Sequence, residues 1–281
     1  SGVGGWGPFY ACHGIVSIII GTASPFDFPE ARARALLDAL ETIRQENERV
    51  DSPLIDHLDL TQLAVSGWSM GGGGAQRAAV LEPSIKSVVA LCPWLPNPSI
   101  NHDSPVLIFS GQNDPTAPPQ FHANIHYNET PETTTKLLFE VENGNHSVAN
   151  SPNGANGVVG KIALSWLKLH LEDNPCYCPL LTESLLVNPP DASMVQTNIE
   201  CEPILGIQEN TFDVVLFPNP TQNFLTVVAP NDVTVAVYSP FGNKLIERHL
   251  TGNDKQLDLS AFAAGIYYVR IKNETYKIVK K

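Results

Sequence analysis

The 281-residue sequence has no apolar run near the roughly 18 residues that a membrane-spanning helix requires. Its longest, Ile15-Val16-Ser17-Ile18-Ile19-Ile20, has the length and β-branching of a buried strand. Positive charge is also scarce, with 17 Lys+Arg against 29 Asp+Glu. The shortage lies in the front part: residues 1–204 hold 9 against 22, net −13, whereas residues 205–281 hold 8 against 7, net +1. An acidic front part repels phosphate backbones and anionic lipid, so nucleic acid and membrane surfaces are poor partners and a neutral or apolar substrate fits better. The five cysteines have no metal-binding spacing, so neither a metal nor another cofactor is expected. Cys12 and Cys92 sit in apolar stretches and read as buried thiols. Cys176, Cys178 and Cys201 cluster, and one disulfide from either Cys176 or Cys178 to Cys201 suits an exported protein. The chain opens at Ser1 with neither an initiator Met nor a signal peptide, as in a processed protein or a fragment.

Along the first 181 residues, strand and helix patterns alternate. Ile15–Gly21 predicts a strand, and Pro29 opens a helix to about Glu48 with Leu36, Leu40 and Ile43 on one face. A strand over Leu63–Ser66 leads into a helix over Gly73–Leu81, and Val88–Leu91, Val106–Ser110 and Leu137–Val141 predict three more strands. A helix over Gly157–Leu171 follows. Alternation with nearly all-apolar strands indicates an α/β fold with a mostly parallel sheet covered on both faces. Residues 183–211 show little periodicity and predict a terminal wrap and then a linker over 205–211. From Phe212 the period switches to two, over Val214–Phe217, Leu225–Val228, Val233–Tyr238, Lys244–Ile246 and Ile266–Ile271. That pattern predicts a small antiparallel β-sandwich over 212–281.

The chemistry centres on Gly67-Trp68-Ser69-Met70-Gly71. A serine is a weak nucleophile unless a rigid turn presents it to a base. A strand before it and a helix after it put the hydroxyl at the strand's carboxyl end, with glycines two residues either side to admit the tight turn. The helix then aims its first N–H groups, that of Met70 among them, at a developing oxyanion. A phosphate loop is excluded because no Lys-Ser/Thr follows the glycines. Asp114 follows the strand ending at Ser110, and His146 follows the strand ending at Val141, so both lie past the same sheet edge as Ser69. The order Ser69…Asp114…His146 suits a base, His146, oriented by a carboxylate, Asp114. Glu142 and Asp103 compete less well, the first too local to His146 and the second ahead of its strand. His122 and His126 are four residues apart on one helix face, but no Glu follows His122 as a zinc protease motif would require.

The octet Gly67-Trp68-Ser69-Met70-Gly71-Gly72-Gly73-Gly74 resembles the bacterial cutinases and PET hydrolases, members of the α/β-hydrolases, and the likeness extends over residues 1–204. It includes Trp6-Gly7-Pro8 with Ala11-Cys12-His13-Gly14, Asp27-x-Pro29 with the following Arg32-x-Arg34-x-Leu36-Leu37, Cys92-Pro93-Trp94, Asn113-Asp114-x-x-Ala117-Pro118 and His146-x-x-Ala149-Asn150-Ser151. The resemblance implies Met70 as oxyanion donor, Trp94 as the wall for an aromatic or aliphatic acyl group, and His122 behind that wall. Trp68 and Asn150 fall at substrate-side positions. Gly111 and Val148 stand where some PET-active relatives have an extra disulfide. Members of the family begin with about three more strands, and the missing loop after the third carries a second oxyanion donor. The sequence therefore reads as N-terminally incomplete, with a hole between Ile15–Gly21 and Leu63–Ser66 and little activity for the chain as written.

Phe217-Pro218-Asn219-Pro220, Val237-Tyr238-Ser239-Pro240-x-Gly242, Leu257-Asp258-Leu259 and Ala264-Gly265-Ile266-Tyr267-Tyr268-Val269-Arg270 resemble the C-terminal sorting domain of type IX secretion. The expectation is a secreted, monomeric serine hydrolase of polyesters, extracellular or held at the cell surface, whose tail engages outer-membrane secretion machinery. A general carboxylesterase or lipase, and a catalytically dead binding protein or inactive fragment, are the alternatives. A carbohydrate- or polymer-binding tail is disfavoured because the tail lacks Trp and only one of Tyr267 and Tyr268 can face outward.

Overall fold

Strands that are apolar on both sides persist only where both faces are covered. Every residue of β2 (Ser87–Leu91), β3 (Val106–Gly111) and β4 (Lys136–Val141) is buried. With β1 (Ala64–Trp68) and β5 (Ala192–Thr197) they form one sheet in the order β1-β2-β3-β4-β5. The first three pairings are parallel, and β5 runs antiparallel to β4. The computed structural model describes residues 2–182, 191–201, 214–229, 232–252, 255–272 and 274–281. The chain divides into two compact units, residues 1–204 and 205–281.

Strand alternation sends Leu91, Leu107, Phe109, Leu137 and Phe139 to one face, where they pack with α1 (Trp6–Ala11) and α5 (Val158–Leu171). It sends Val65, Val88, Ala90, Ile108 and Leu138 to the other face, against α2 (Pro29–Glu48), α3 (Met70–Leu81) and α4 (Ala123–Glu129). Pro29 starts α2 at its first turn, where the missing N–H is no loss. Trp166, fully buried on α5, gives its indole N–H to Ser87 Oγ at 2.9 Å, so the core hydroxyl and the ring satisfy each other. The fold is the mostly parallel, helix-covered sheet expected of an α/β-hydrolase.

Three expectations are corrected. Ile15–Gly21 forms no strand; it is irregular chain outside any ladder. A strand exists through its partner, and among the described residues β1 pairs only with β2. A cavity of about 610 Å3 separates the two segments, walled by Ile15, Ile18 and Val65 and by Leu36, Leu40 and Ile43 of α2. Beside this cavity Val16, Ile18 and Ile19 are left 45–49% exposed. Second, the stretch beyond residue 182 was expected to lack regular structure, yet β5 pairs with β4 there. Ser193 Oγ binds Glu140 and Thr197 Oγ1 binds the Lys136 carbonyl, an edge strand held partly by side chains. Third, Cys12 is exposed at the end of α1, whereas Cys92 is buried as expected.

In the second unit, β6 (Val215–Phe217), β7 (Phe224–Val228) and β10 (Gln256–Asp258) make a three-stranded sheet in the order β10-β7-β6. β8 (Val233–Tyr238), β9 (Lys244–Leu250), β11 (Gly265–Ile271) and β12 (Glu274–Lys280) make a four-stranded one in the order β12-β11-β8-β9. Leu225, Val227, Val235, Val237, Val269 and Ile278 fill the space between. The linker expected over 205–211 lies outside the described residues.

The disulfide left open by the sequence joins Cys178 to Cys201, with a sequence separation of 23. A loop of that length restricts the unfolded chain by about 3 kcal/mol. Cys201→Ser should lower the denaturation midpoint of the first unit accordingly. Tryptophan fluorescence reports that unit alone, since Trp6, Trp68, Trp94 and Trp166 all lie in it. Reductant should shift the wild type to the variant's midpoint and leave the variant unmoved.

Buried histidines set the acid limit. Burial holds His102, His126 and His170 near a pKa of about 4, well below the ordinary 6.5. The unfolded chain takes up protons at these sites before the folded one does, so stability falls as pH drops. The loss should run from about pH 6.5 to about pH 4 in urea titrations, and His126→Gln should flatten that slope.

Candidate active site

The site starts from a strand that ends in a strained turn. Ser69 follows β1 directly and has φ +58° and ψ −124°, a conformation costing about 1–3 kcal/mol for a residue with a side chain. Gly67 makes this possible, because a Cβ there would lie 2.2 Å from the Gly71 carbonyl oxygen. The glycine at the other end of the motif has a different status. A Cβ on Gly71 would meet nothing within 4 Å, so the symmetric steric reading of the two glycines is corrected. The later glycines serve helix packing: a Cβ on Gly73 would lie 2.4 Å from the Trp94 carbonyl oxygen. The first turn of α3 can therefore lie against the Pro93–Leu95 backbone, and the Trp94 N–H in turn bonds Ser69 O at 2.9 Å.

The loops after β3 and β4 bring the other two groups to this turn. His146 Nε2 lies 2.9 Å from Ser69 Oγ, and His146 Nδ1 lies 2.7 Å from Asp114 Oδ2. The second oxygen of Asp114, Oδ1, accepts the backbone N–H groups of Thr116 and Ala117 at 2.8 and 2.9 Å. Asp114 is buried, and with both oxygens engaged its carboxylate is fixed in the direction of the imidazole. These contacts suit an Nδ1–H that donates to Asp114, leaving the Nε2 lone pair to face the serine hydroxyl. Glu142 and Asp103 make no hydrogen bond or ion pair with His146 among the described residues.

Trp68 ties His146 to the strand that ends at Ser69. Its indole N–H donates to the His146 carbonyl at 2.7 Å, and its ring lies 4.9 Å from the imidazole. Met70 opens α3, and its N–H has no backbone acceptor among the described residues. It points from a twelve-residue helix whose dipole favours negative charge at this end. Asn150 is half-buried in the turn after His146, its N–H bonded to Ser147 O, and no side-chain hydrogen bond joins it to the triad among the described residues.

Beside the serine stands an aromatic cluster. Trp94 is half-buried, with its ring 5.7 Å from His122 and 6.5 Å from Phe28. Phe28, 67% exposed, escaped the sequence reading; its only signal was an aromatic immediately ahead of the helix-opening Pro29. A second buried layer supports this wall. His126 lies 3.0 Å from Gln76 Nε2 of α3 through Nδ1 and 3.2 Å from the Leu95 carbonyl through Nε2. A neutral imidazole, accepting from the amide and donating to the carbonyl, satisfies both contacts. Burial lowers the pKa of His122, outweighing the charge of Asp114 that raises it. The neighbouring Cys92 thiol is pushed up to about 12 by burial first and then by Asp114, which keeps it an inert core group. The described residues contain no group of His, Cys, Asp and Glu that could hold a metal ion.

Residues 1–200 match the family described as PET hydrolase-like. The chain belongs to that family. Among curated relatives, cutinase est1 of Thermobifida alba is 35% identical over 172 residues, 61% of this chain and 56% of the relative. Bis(hydroxyethyl) terephthalate hydrolase of Streptomyces coelicolor is 34% identical over 186 residues, 64% and 57% of the two chains. Cutinase 1 of Thermobifida cellulosilytica is 34% identical over 172 residues, 61% and 63%. The chain thus spans little more than half the length of the first two of these relatives. Residues 215–281 match the secretion system C-terminal sorting domain, which marks the chain for export.

The close approach at Gly67 makes a direct demand. Gly67→Ala cannot keep the turn, so reaction of Ser69 with an active-site fluorophosphonate should fall at least 100-fold. Gly71→Ala, where space is open, should stay within a few-fold of wild type.

Proposed function

We propose that this protein is a secreted serine hydrolase of carboxylic esters, acting on polyesters of the cutin or PET kind. The observation that carries the reading is the relay from Ser69 Oγ through His146 to Asp114, at 2.9 and 2.7 Å, set at a helix N-terminus beside an aromatic wall. The names of the relatives support the substrate class.

In this reading, His146 Nε2 takes the Ser69 proton as Oγ attacks the ester carbonyl carbon. The negative charge that forms on the carbonyl oxygen is met by the Met70 N–H and the dipole of α3. Asp114 holds the imidazole and stabilises its cation. The tetrahedral species collapses as the C–O bond to the alcohol breaks. The imidazolium returns its proton to that oxygen, leaving an acyl group on Ser69. Water then attacks, passes one proton to His146, and the acid leaves as Ser69 regains its hydrogen. Trp94, with Phe28 and His122 around it, packs against the flat or aliphatic acyl group, and Trp68 and Asn150 border the same mouth. A neutral polymer segment also suits a unit of net charge −13. Residues 1–204 form the hydrolase domain and residues 212–281 the sorting domain, an address read by outer-membrane secretion machinery.

Fluorophosphonate labelling tests the nucleophile without presuming a substrate. The complete protein should be labelled at Ser69, and its Ser69→Ala variant should not. His146→Ala should slow labelling by three orders of magnitude or more. Release of soluble acid from a PET or cutin film, compared with turnover of a soluble short-chain ester, tests the polymer. A labelled protein inert towards every film would retain the chemistry and lose the polyester assignment.

A further inference from the structure

Alternation along β11 buries Val269 and Ile271 and turns Tyr268 and Arg270 outward. The register then sets Tyr268 directly opposite Tyr238 of β8 on one side and Lys277 of β12 on the other. Directly opposed residues in an antiparallel pair have Cβ atoms about 4.5–5.5 Å apart, so two phenol side chains rise next to each other from one face. Arg270, two residues on, faces Thr275. The turn after β8, with Ser239, closes one side, leaving an open hollow of about 250 Å3 lined by Tyr238, Tyr268, Arg270, Ser239 and Thr275. This is smaller than the roughly 300–1,000 Å3 of sites that enclose a drug-sized ligand, and suits one ring of a chain running across the face.

Charge completes the description. Neither Arg270 nor Lys277 has an ion pair or a side-chain hydrogen bond among the described residues. Glu247, on the same sheet in β9, is paired with Lys244. The face therefore offers two uncompensated cations beside two phenols, whereas the first unit is strongly acidic. Tyrosine rings offer flat apolar surface with a polar tip. An Arg fork takes a carboxylate through two parallel bonds, and Ser and Thr hydroxyls donate to or accept from sugar hydroxyls.

We propose that this face of the C-terminal unit is a binding site for an acidic polysaccharide: a pyranose ring stacks on the Tyr238–Tyr268 pair, and its carboxylate is held by Arg270 with Lys277 nearby. The cross-strand partner of Tyr268 supplies the second aromatic that the tail's sequence did not reveal. Phe241, 90% exposed at the tip of the adjoining turn, would serve a lipid surface instead.

Native gel electrophoresis of the full chain through polygalacturonate, with dextran as the neutral control, tests the site. The wild type should be retarded by polygalacturonate and not by dextran. The acidic first unit suppresses unspecific adhesion to a polyanion. Tyr268→Ala and Arg270→Ala should each weaken retardation at least tenfold, and Arg270→Lys should weaken it less. The two side chains face outward, so the thermal midpoints of these variants should stay at the wild-type value, which separates lost binding from lost folding. Absence of retardation, equal retardation of wild type and variants, or equal retardation in dextran would each overturn the proposal. So would binding to phosphatidylglycerol–phosphatidylcholine vesicles that is abolished by Phe241→Ser while polygalacturonate has no effect.

Discussion

The first unit depends on one close approach, that of Gly67 to the Gly71 carbonyl. A strand can hand over to a helix within one residue only if nothing projects into the turn, and Ser69 then occupies a conformation that a residue with a side chain seldom holds. The surroundings keep it there: the Ser69 N–H bonds Leu91 O on β2, while its carbonyl accepts from Trp94 and from α3. The strain is thus borne by the same contacts that set α3, the Trp94 loop and β2 in place. The parallel order of β1 to β4 then delivers the Asp114 and His146 loops to the same edge.

Two titratable groups near the site are kept uncharged by burial. His126 is enclosed between a side-chain amide and a backbone carbonyl, and its burial disfavours a cation. It therefore links α3 to the base of the Trp94 loop as a neutral bridge over most of the pH range. Cys92, although next to Asp114, is kept as a thiol by burial. His146 with Asp114 differs, since a cation on that imidazole has a carboxylate waiting.

The sequence was most legible where chemistry and periodicity coincide. Gly67–Gly71 announced the turn, and Asp114 and His146 followed the ends of apolar strands, so their convergence could be read from order alone. What escaped depended on partners. Ile15–Gly21 has every local mark of a strand, yet β-structure is a property of pairs, and no described strand lies beside it. β5 shows the converse: Ala192–Thr197 is half polar, but Ser193 and Thr197 bond to β4 and hold it as an edge. Phe28 could not be placed on Trp94 from spacing, since the two are brought together by the packing of α2 and α3. Cys178 and Cys176 differ by two residues, and the helical turn over Pro175–Leu181 buries the first, which pairs with Cys201, and leaves the second exposed.

Trp68 has a consequence for tolerance. It is the residue immediately before the serine, and its indole bonds the carbonyl of the very histidine whose ring lies 2.9 Å from that serine's hydroxyl. The imidazole of His146 is thereby gauged against Ser69 by a link one residue long, instead of through the whole width of the sheet. A shear of β2, β3 and β4 reaches the Ser69–His146 distance only by stretching that hydrogen bond. Drift elsewhere in the sheet can accumulate over evolution or temperature, and the Ser69–His146 distance need not inherit it.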